Sequence, residues 1–147
     1  DIDKTYIING YKITGYGILK LASIIEKEAR LDTERPLVAS VFYNRLKSEE
    51  AYLQRLESCA TVRYAKNKKT GALLYKDLRY NSPYNTYITI GLPPGPICNP
   101  GIKSIEAAMA PAQTNYRYFV VSSDGAHTFS STLEQHNAAK QIYKENK

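Results

Sequence analysis

The 147-residue sequence lacks several patterns on which common functional sites depend. Its two cysteines form no CxxC pair, and its two histidines, His127 and His136, have no convincing third partner for a metal ion. No GxSxG elbow, local Cys-His signature or GxxxxGK run is present, which argues against serine or cysteine nucleophiles and against a phosphate-binding loop. We therefore expect no metal and no organic cofactor.

Long apolar runs are also missing, since Lys20 interrupts the longest one and a membrane-spanning helix needs roughly 20 apolar residues. Because no signal peptide starts at Asp1, we expect either a cytosolic chain or a piece of a longer protein. The net charge of +6 favours polyanionic partners, such as nucleic acid, anionic lipid or an acidic cell-wall polymer. Apart from Lys66, Lys68 and Lys69 in one loop the basic residues are dispersed, without a nucleic-acid-binding motif, so nucleic acid ranks last.

Length and composition predict one globular domain. We assign residues 1–15 to an N-terminal lead or linker, with a candidate strand at 6–8, and residues 16–147 to the domain. Helices are predicted over about 16–30, over about three turns after an N-cap at Thr33, and over about 133–145. A β-hairpin is predicted within residues 116–129. The expected fold is α+β, mostly helical, with a small antiparallel hairpin or sheet.

Residues 81–101 hold five prolines and three glycines, which excludes an ordinary helix or a central strand. A loop of this length within a compact domain is usually functional or disordered. Its tyrosines, with Leu92 and Ile97, favour an ordered wall. The chain has 13 tyrosines and no tryptophan, and tyrosine rings suit the faces of sugars or bases, although most tyrosines are half-buried core residues.

Two glutamates, Glu26 and Glu28, lie on the first predicted helix. At about 100° per residue their side chains point in nearly opposite directions. The residues three, four and seven positions before Glu28 are all apolar: Ile25, Ile24 and Leu21. Glu26 instead faces solvent, with Arg30 as its i,i+4 partner. A buried carboxyl has a raised pKa unless it is paired, which makes Glu28 a candidate general acid. The alternative, which the helix pattern alone favours, is that Glu28 reaches solvent from the edge of the apolar stripe.

With metal sites, nucleophilic serine or cysteine and phosphate-binding loops disfavoured, acid–base catalysis by carboxyl groups is the chemistry that remains. Cleavage of a glycosidic bond requires a proton on the leaving oxygen, which one protonated carboxylic acid can supply. Hydrolysis usually needs a second carboxylate as well. Glu57 is the candidate, but the sequence does not fix its distance from Glu28, so a hydrolase that uses both glutamates stays open.

Seven segments of the chain carry a resemblance to a known family. They are ASIIEKE at 22–28, ERP at 34–36, VASVFYNRL at 38–46, TV at 61–62, YNTY at 84–87, GLPPGPI at 91–97 and NPG at 99–101. In this order they resemble the endolytic murein transglycosylase family, also called YceG-like, over about residues 16–145. YNTY and GLPPGPI are highly specific. The resemblance implies a lysozyme-like or lytic-transglycosylase-like domain.

The resemblance implies an enzyme that cuts the MurNAc-GlcNAc bond inside peptidoglycan strands without water and leaves a 1,6-anhydro-MurNAc end. The second glutamate of EKE, Glu28, is the implied acid and base. Family members are usually anchored to the cytoplasmic membrane by an N-terminal helix and carry a LysM-like domain. We therefore expect an excised catalytic domain from the extracytoplasmic face of that membrane, with peptidoglycan strands and cell-wall synthases as partners. The alternative is a non-catalytic peptidoglycan-binding module.

The motif segments also imply substrate-binding residues, namely Glu57, Ser58, Thr61, Tyr84, Asn85, Thr86, Tyr87 and Asn99. Each could instead fix a loop through Asx turns and ring packing. Two departures concern cysteine: Cys59 stands at the aspartate of the family's LQxDPTV pattern, and Cys98 where relatives often have alanine. Both segments are expected to line one cleft, and the implied compartment is oxidising in many bacteria. A Cys59–Cys98 disulfide is therefore predicted.

Overall fold

The computed structural model describes residues 1–122 and 124–145. These residues form six α-helices and two separate two-stranded antiparallel sheets, so the predicted α+β class is confirmed. In chain order the strands and helices are β1 (Thr5–Ile8), β2 (Tyr11–Thr14), α1 (Gly15–Glu28), α2 (Arg35–Leu46), α3 (Ala51–Gln54), α4 (Cys59–Lys66), α5 (Ile102–Met109), β3 (Tyr118–Val121), β4 (His127–Ser130) and α6 (Leu133–Glu145). Within the described ranges, none of the helices has the length and apolar character needed to cross a membrane.

Residues 5–14 form the β1–β2 hairpin. Its turn, Asn9-Gly10, has both residues at positive φ, 50° and 78°, which asparagine and glycine tolerate best. Ile8 and Ile13 belong to the hydrophobic core. The segment assigned to a lead or linker is therefore packed with the domain, because its strands alternate a core-facing residue with an exposed one.

Helix α1 lies at the centre of the fold and packs mainly against α5 and α2. Thr14 caps its first turn by accepting a hydrogen bond from the N–H of Gly17 at 3.0 Å. Tyr43 of α2 is fully buried and its hydroxyl donates to the carbonyl of Ala108 on α5 at 2.6 Å. The three helices thus form the rigid base on which the long loop and α4 are placed.

The beginning of α2 differs from its prediction. A 3-10 turn covers residues 32–34, α2 begins at Arg35, and its N-cap residue is Glu34 without a side-chain capping bond. Thr33 is therefore not the cap. Pro36 lies in the first turn of α2, where proline is well tolerated. The predicted hairpin is confirmed as β3 and β4, and α6 packs on it.

Candidate active site

Glu28 is the last residue of α1 and lines two cavities at once. The three residues that share its helix face, Leu21, Ile24 and Ile25, are 0% exposed. Helix α1 ends here because Ala29 adopts an extended conformation, with φ −93° and ψ 130°. The predicted apolar face is confirmed, and it leaves the Glu28 carboxyl half-buried at the surface of a cleft.

The Glu28 carboxyl receives two hydrogen bonds from the start of α4. Ser58 Oγ donates to Oε1 at 2.6 Å, and the N–H of Ala60 donates to the same oxygen at 3.4 Å. Burial nevertheless raises the pKa of Glu28 above its ordinary value, because it outweighs these two bonds and the charge of His127, which act in the opposite direction. A carboxyl with a raised pKa keeps its proton at higher pH, as a general acid must.

Ser58, Thr61 and Thr86 form a buried cluster behind Glu28. The N–H of Ser58 donates to Thr86 Oγ1 at 2.9 Å, Thr61 Oγ1 donates to the carbonyl of Ser58 at 2.7 Å, and the two threonine oxygens lie 2.8 Å apart. The three residues are at most 3% exposed. Ser58 directly precedes α4, but its hydroxyl donates to Glu28 and makes no capping bond with a backbone N–H. This geometry suits residues that position the acid better than residues that contact substrate.

Asn85 is also fully buried. Its Nδ2 donates to the carbonyls of Leu78 at 3.0 Å and Tyr80 at 2.9 Å, and its Oδ1 accepts the N–H of Tyr87 at 2.9 Å. Asn85 therefore fixes the conformation of the loop. This is the structural role that the sequence pattern allowed as the alternative to substrate contact. Asn99 is exposed, but lines neither cavity beside Glu28.

The two tyrosines of YNTY have different surroundings. The ring of Tyr84 packs at 4.9 Å and 48° against that of Tyr64, which lines one cavity. Tyr87 lines the other cavity, and its hydroxyl lies 3.2 Å from Cys59 Sγ. Of the two, Tyr87 faces the same space as Glu28.

Glu57 lines a cavity together with Glu28, but it is paired. Its carboxylate accepts a hydrogen bond from Arg45 Nη2 at 2.9 Å, and Arg45, which is 4% exposed, also donates to the carbonyls of Arg55 at 2.8 Å and Arg117 at 2.9 Å. The backbone of Glu57 has φ 53°, an unusual conformation for a residue other than glycine. Such strain beside a cleft is a reason to look for function there.

Two cavities meet at Glu28 and Cys59, and we name them by their walls. The basic cavity, of about 750 Å³, is lined by Lys27, Arg63, Tyr64, Lys68 and Lys69 among others. The aromatic cavity, of about 490 Å³, is lined mostly by apolar and aromatic side chains, including Phe42, Tyr87, Tyr118 and Phe119. A polymer that lies along both cavities would therefore pass the Glu28 carboxyl near its middle.

Glu26 is not paired with Arg30, so that prediction was wrong. Its Oε1 accepts hydrogen bonds from the N–H of Gly101 at 2.8 Å and from Ser104 Oγ at 2.9 Å, and its Oε2 lies 3.7 Å from Arg35 Nη2. The bonds from Gly101 and Ser104 lower the pKa of Glu26. A long-range set of donors outcompetes the exposed i,i+4 partner because it is fixed by the fold. Glu26 therefore anchors the end of the proline-rich loop.

The proline-rich loop is an ordered wall, as expected. The N–H of Ile97 donates to Ser23 Oγ on α1 at 3.0 Å, and Ile97 lines the basic cavity. At Gly95 a Cβ atom would lie only 2.9 Å from the Tyr84 hydroxyl and 3.1 Å from the Tyr16 hydroxyl, so a larger residue would displace the ends of these two side chains. These contacts fix the rim of the cleft.

The predicted Cys59–Cys98 disulfide is absent, and both thiols are free. Cys59 Sγ lies beside the Tyr87 hydroxyl at 3.2 Å, whereas Cys98 Sγ donates to the carbonyl of Ser23 at 3.3 Å. Although both segments border the cleft, each sulfur is held by a different neighbour. The two cysteine segments border one cleft, but Cys59 and Cys98 do not have the geometry that a disulfide needs.

Sequence reasoning missed the pairing of Glu34 with His127. The Glu34 carboxylate accepts the N–H of His127 at 3.0 Å and lies 3.0 Å from its Nδ1, and the imidazole packs edge-on against Phe119. The ERP motif was the one available signal, but the two residues lie 93 positions apart. In the described part of the chain no three His, Cys, Asp or Glu side chains are grouped as metal ligands.

Comparisons with known proteins identify the family of this chain. Residues 4–142 match the sequence profile of the YceG-like family. The endolytic murein transglycosylase of Bacillus subtilis (strain 168) is 47% identical over 132 residues, which cover 90% of this chain and 36% of that protein. The protein of the same name from Streptococcus pneumoniae serotype 2 (strain D39) is 31% identical over 136 residues, or 88% of this chain and 24% of that one.

A crystal structure of a yceG-like protein from Listeria monocytogenes has the same fold, with a TM-score of 0.79 and 46% identity, over 86% of this chain and 40% of that chain. The chain thus combines an α+β fold, a half-buried glutamate, Glu28, where two cavities meet, and a match to the YceG-like family. The chain belongs to the YceG-like family. It spans 36% and 24% of the two curated relatives.

Proposed function

We propose that this chain carries the active site of an endolytic peptidoglycan lytic transglycosylase, with Glu28 as both acid and base. The observation that carries the proposal is a single carboxyl of raised pKa at the meeting point of two cavities. The names of the relatives, endolytic murein transglycosylases, support the substrate class.

In the proposed reaction, protonated Glu28 gives its proton to the oxygen that joins MurNAc C1 to GlcNAc, and the C1–O bond breaks. The resulting Glu28 carboxylate then takes the proton of the MurNAc C6 hydroxyl while that oxygen bonds to C1. Glu28 is protonated again at the end, no water is consumed, and the products are a 1,6-anhydro-MurNAc end and a free GlcNAc hydroxyl. One carboxyl therefore suffices for both proton transfers.

The ion pair between Glu57 and Arg45 favours this route over hydrolysis. A hydrolase needs a second carboxylate that is free to act on water or on the anomeric carbon. Glu57 shares the aromatic cavity with Glu28, yet its carboxylate is engaged by Arg45 at 2.9 Å. We therefore propose that Glu57 contacts substrate and fixes the rim of the cleft, and that it takes no proton in the reaction.

We further propose that the predicted substrate-binding residues have two roles, direct contact with the glycan and support of the site. Tyr87 and Glu57 line the aromatic cavity and contact the glycan directly, because aromatic faces and carboxylates are the groups that bind sugars. Tyr84 supports the exposed ring of Tyr64 in the basic cavity. The buried residues, Ser58, Thr61, Asn85 and Thr86, hold Glu28 and the loop in place.

The proposed setting is the extracytoplasmic side of the bacterial membrane, during cell-wall assembly. The word murein in the names of the relatives supports that side, since murein is a cell-wall polymer. The partnership with cell-wall synthases rests on the family resemblance alone.

The experiment is product analysis. The chain is incubated with uncrosslinked glycan strands and the new ends are identified by mass spectrometry. Anhydro ends within strands support the proposal. Reducing ends would show a hydrolase, which would restore Glu57 as second carboxylate, and binding without cleavage would show a glycan-binding module.

A further inference from the structure

The basic cavity carries more positive charge than the structure compensates. Four cations line it, namely Lys27, Arg63, Lys68 and Lys69, whereas Glu28 is the one acidic residue among its described lining residues. A carboxyl that must be protonated to act contributes little negative charge. The cavity is therefore a concentrated positive site directly beside the reacting group.

Three of the four cations have no carboxylate partner among the side chains that the structure describes, those of residues 1–122 and 124–142. Lys27 and Lys69 are exposed and take part in none of the ion pairs there. Arg63 donates only to backbone carbonyls, those of Lys68 at 3.4 Å and Gly71 at 2.9 Å. Lys68 shares the single carboxylate of Asp77 with Lys66. The charge of this wall is thus available to a ligand.

The wall is also held in shape. Asp77 is 1% exposed and accepts Lys66 Nζ at 2.5 Å, Lys68 Nζ at 3.1 Å and the N–H of Leu74 at 2.7 Å. Together with the Arg63 contacts, these bonds fix the loop on which Lys68 and Lys69 lie. Because the loop and the side chains of Arg63 and Lys68 are ordered before binding, less conformational entropy is lost there when an anion arrives.

We propose that the basic cavity is a subsite for anionic groups that the glycan strand carries beside the bond to be cut. The inference rests on the proposed function and names a part of its specificity. Peptide carboxylates are the anions attached to the muramyl sugar itself, and phosphates of a linked wall polymer have the same chemistry.

The test measures binding separately from cleavage. Glu28→Gln removes the acid, and its affinity is measured by fluorescence anisotropy for four labelled strands of equal length. The first carries peptides with free carboxylates, the second the same peptides with amidated carboxylates, the third no peptides, and the fourth no peptides but a phosphate polymer. The same series is run for Lys27→Gln with Lys69→Gln in this background, which removes two charges and no described contact.

The matched control is Lys12→Gln with Lys103→Gln, which removes the same net charge from exposed positions outside both cavities. We expect free carboxylates to bind about three- to tenfold more tightly than amidated ones at low salt, the range for one or two exposed ion pairs, with the preference declining as salt rises. The Lys27/Lys69 variant should lose this preference and the control should keep it. A preference for the phosphate strand alone would support the subsite and name phosphate as its anion.

Equal binding of all four strands, or an equal loss in the control variant, would overturn the subsite. The proposed function fails by a different result, which is the absence of anhydro ends from the unsubstituted chain. Anhydro products without any charge preference would therefore reject the subsite and leave the function in place.

Discussion

Ser58 Oγ donates a hydrogen bond to Glu28 Oε1 across 2.6 Å and so ties the start of α4 to the last residue of α1. The N–H of Ala60 approaches the same oxygen at 3.4 Å. The other oxygen, Oε2, accepts no hydrogen bond from the part of the chain that the structure describes. Ser58 therefore orients the carboxyl and leaves one oxygen to exchange its proton with substrate.

Ser58→Ala should move the pH dependence of cleavage. The bond from Ser58 favours ionised Glu28 and lowers its pKa, so its removal raises that pKa further. Since the acid must be protonated, the alkaline limb of kcat/KM should shift to higher pH, and kcat should fall about tenfold or more because the carboxyl is less well oriented. Initial rates across pH check both effects.

The control for this substitution is Ser48→Ala, at a serine outside both cavities whose hydroxyl accepts the N–H of Glu50. Its pH profile should match that of the unsubstituted chain. An alkaline limb that stays in place or moves to lower pH in Ser58→Ala would show that the bond does not act on Glu28.

Asn85→Ala should act on stability first. The substitution leaves the carbonyls of Leu78 and Tyr80 and the N–H of Tyr87 without their partner inside the fold. We expect the free energy of unfolding, from urea titration, to fall by about 2–4 kcal/mol. Asn99→Ala, at an exposed position, should change it by less than about 0.5 kcal/mol. Normal stability with lost strand binding in Asn85→Ala would instead favour direct substrate contact.

Asp77→Asn should alter stability in acid. The bonds from Lys66, Leu74 and Lys68 hold the pKa of Asp77 well below its ordinary value in the folded chain. A lowered folded pKa adds stability above the unfolded pKa, about 3.9, and that stability is lost as pH falls further. Relative to the unsubstituted chain, Asp77→Asn should be less stable at pH 7, with the gap closing below about pH 4. Urea titrations at several pH values test this, and a gap that is constant with pH would contradict it.

Glu26→Ala should loosen the wall of the cleft. It removes acceptors for Gly101 and Ser104 and takes an anion from Arg35, whose side chain is 10% exposed. The expected loss is about 1–3 kcal/mol in the free energy of unfolding, measured by urea titration. Glu49→Ala, at an exposed glutamate outside the cleft, should cost far less. An equal cost for both would show that Glu26 anchors nothing.

Local pattern was enough to predict some of these features. Helical periodicity predicted the apolar neighbours of Glu28 on α1, although by itself it favoured a position for Glu28 at the edge of that stripe. Turn residues located the β3–β4 hairpin. Both predictions depend on neighbours within a few positions. The prolines and glycines of residues 81–101 predicted a long loop, and the tyrosines in it favoured an ordered wall over a disordered segment. The family resemblance singled out the same glutamate.

The remaining features depend on contacts between distant parts of the chain. Glu26 is bound by Ser104, 78 positions away, and Glu34 by His127, 93 positions away, and neither distance leaves a periodic signal. The buried roles of Ser58 and Asn85 looked the same in sequence as substrate contacts, since the same polar side chains serve both. The disulfide failed because proximity along a cleft does not set the direction of two side chains.

The role of Glu28 as acid and base is tested most directly by comparing Glu28→Gln with Glu26→Gln, the same chemical change two residues apart on one helix. Uncrosslinked strands are incubated with each variant and the new ends are counted by mass spectrometry. We expect Glu28→Gln to lose anhydro-product formation by a factor of about 10³ or more while its free energy of unfolding is maintained, and Glu26→Gln to keep cleaving. Full formation of anhydro ends by Glu28→Gln would contradict this role.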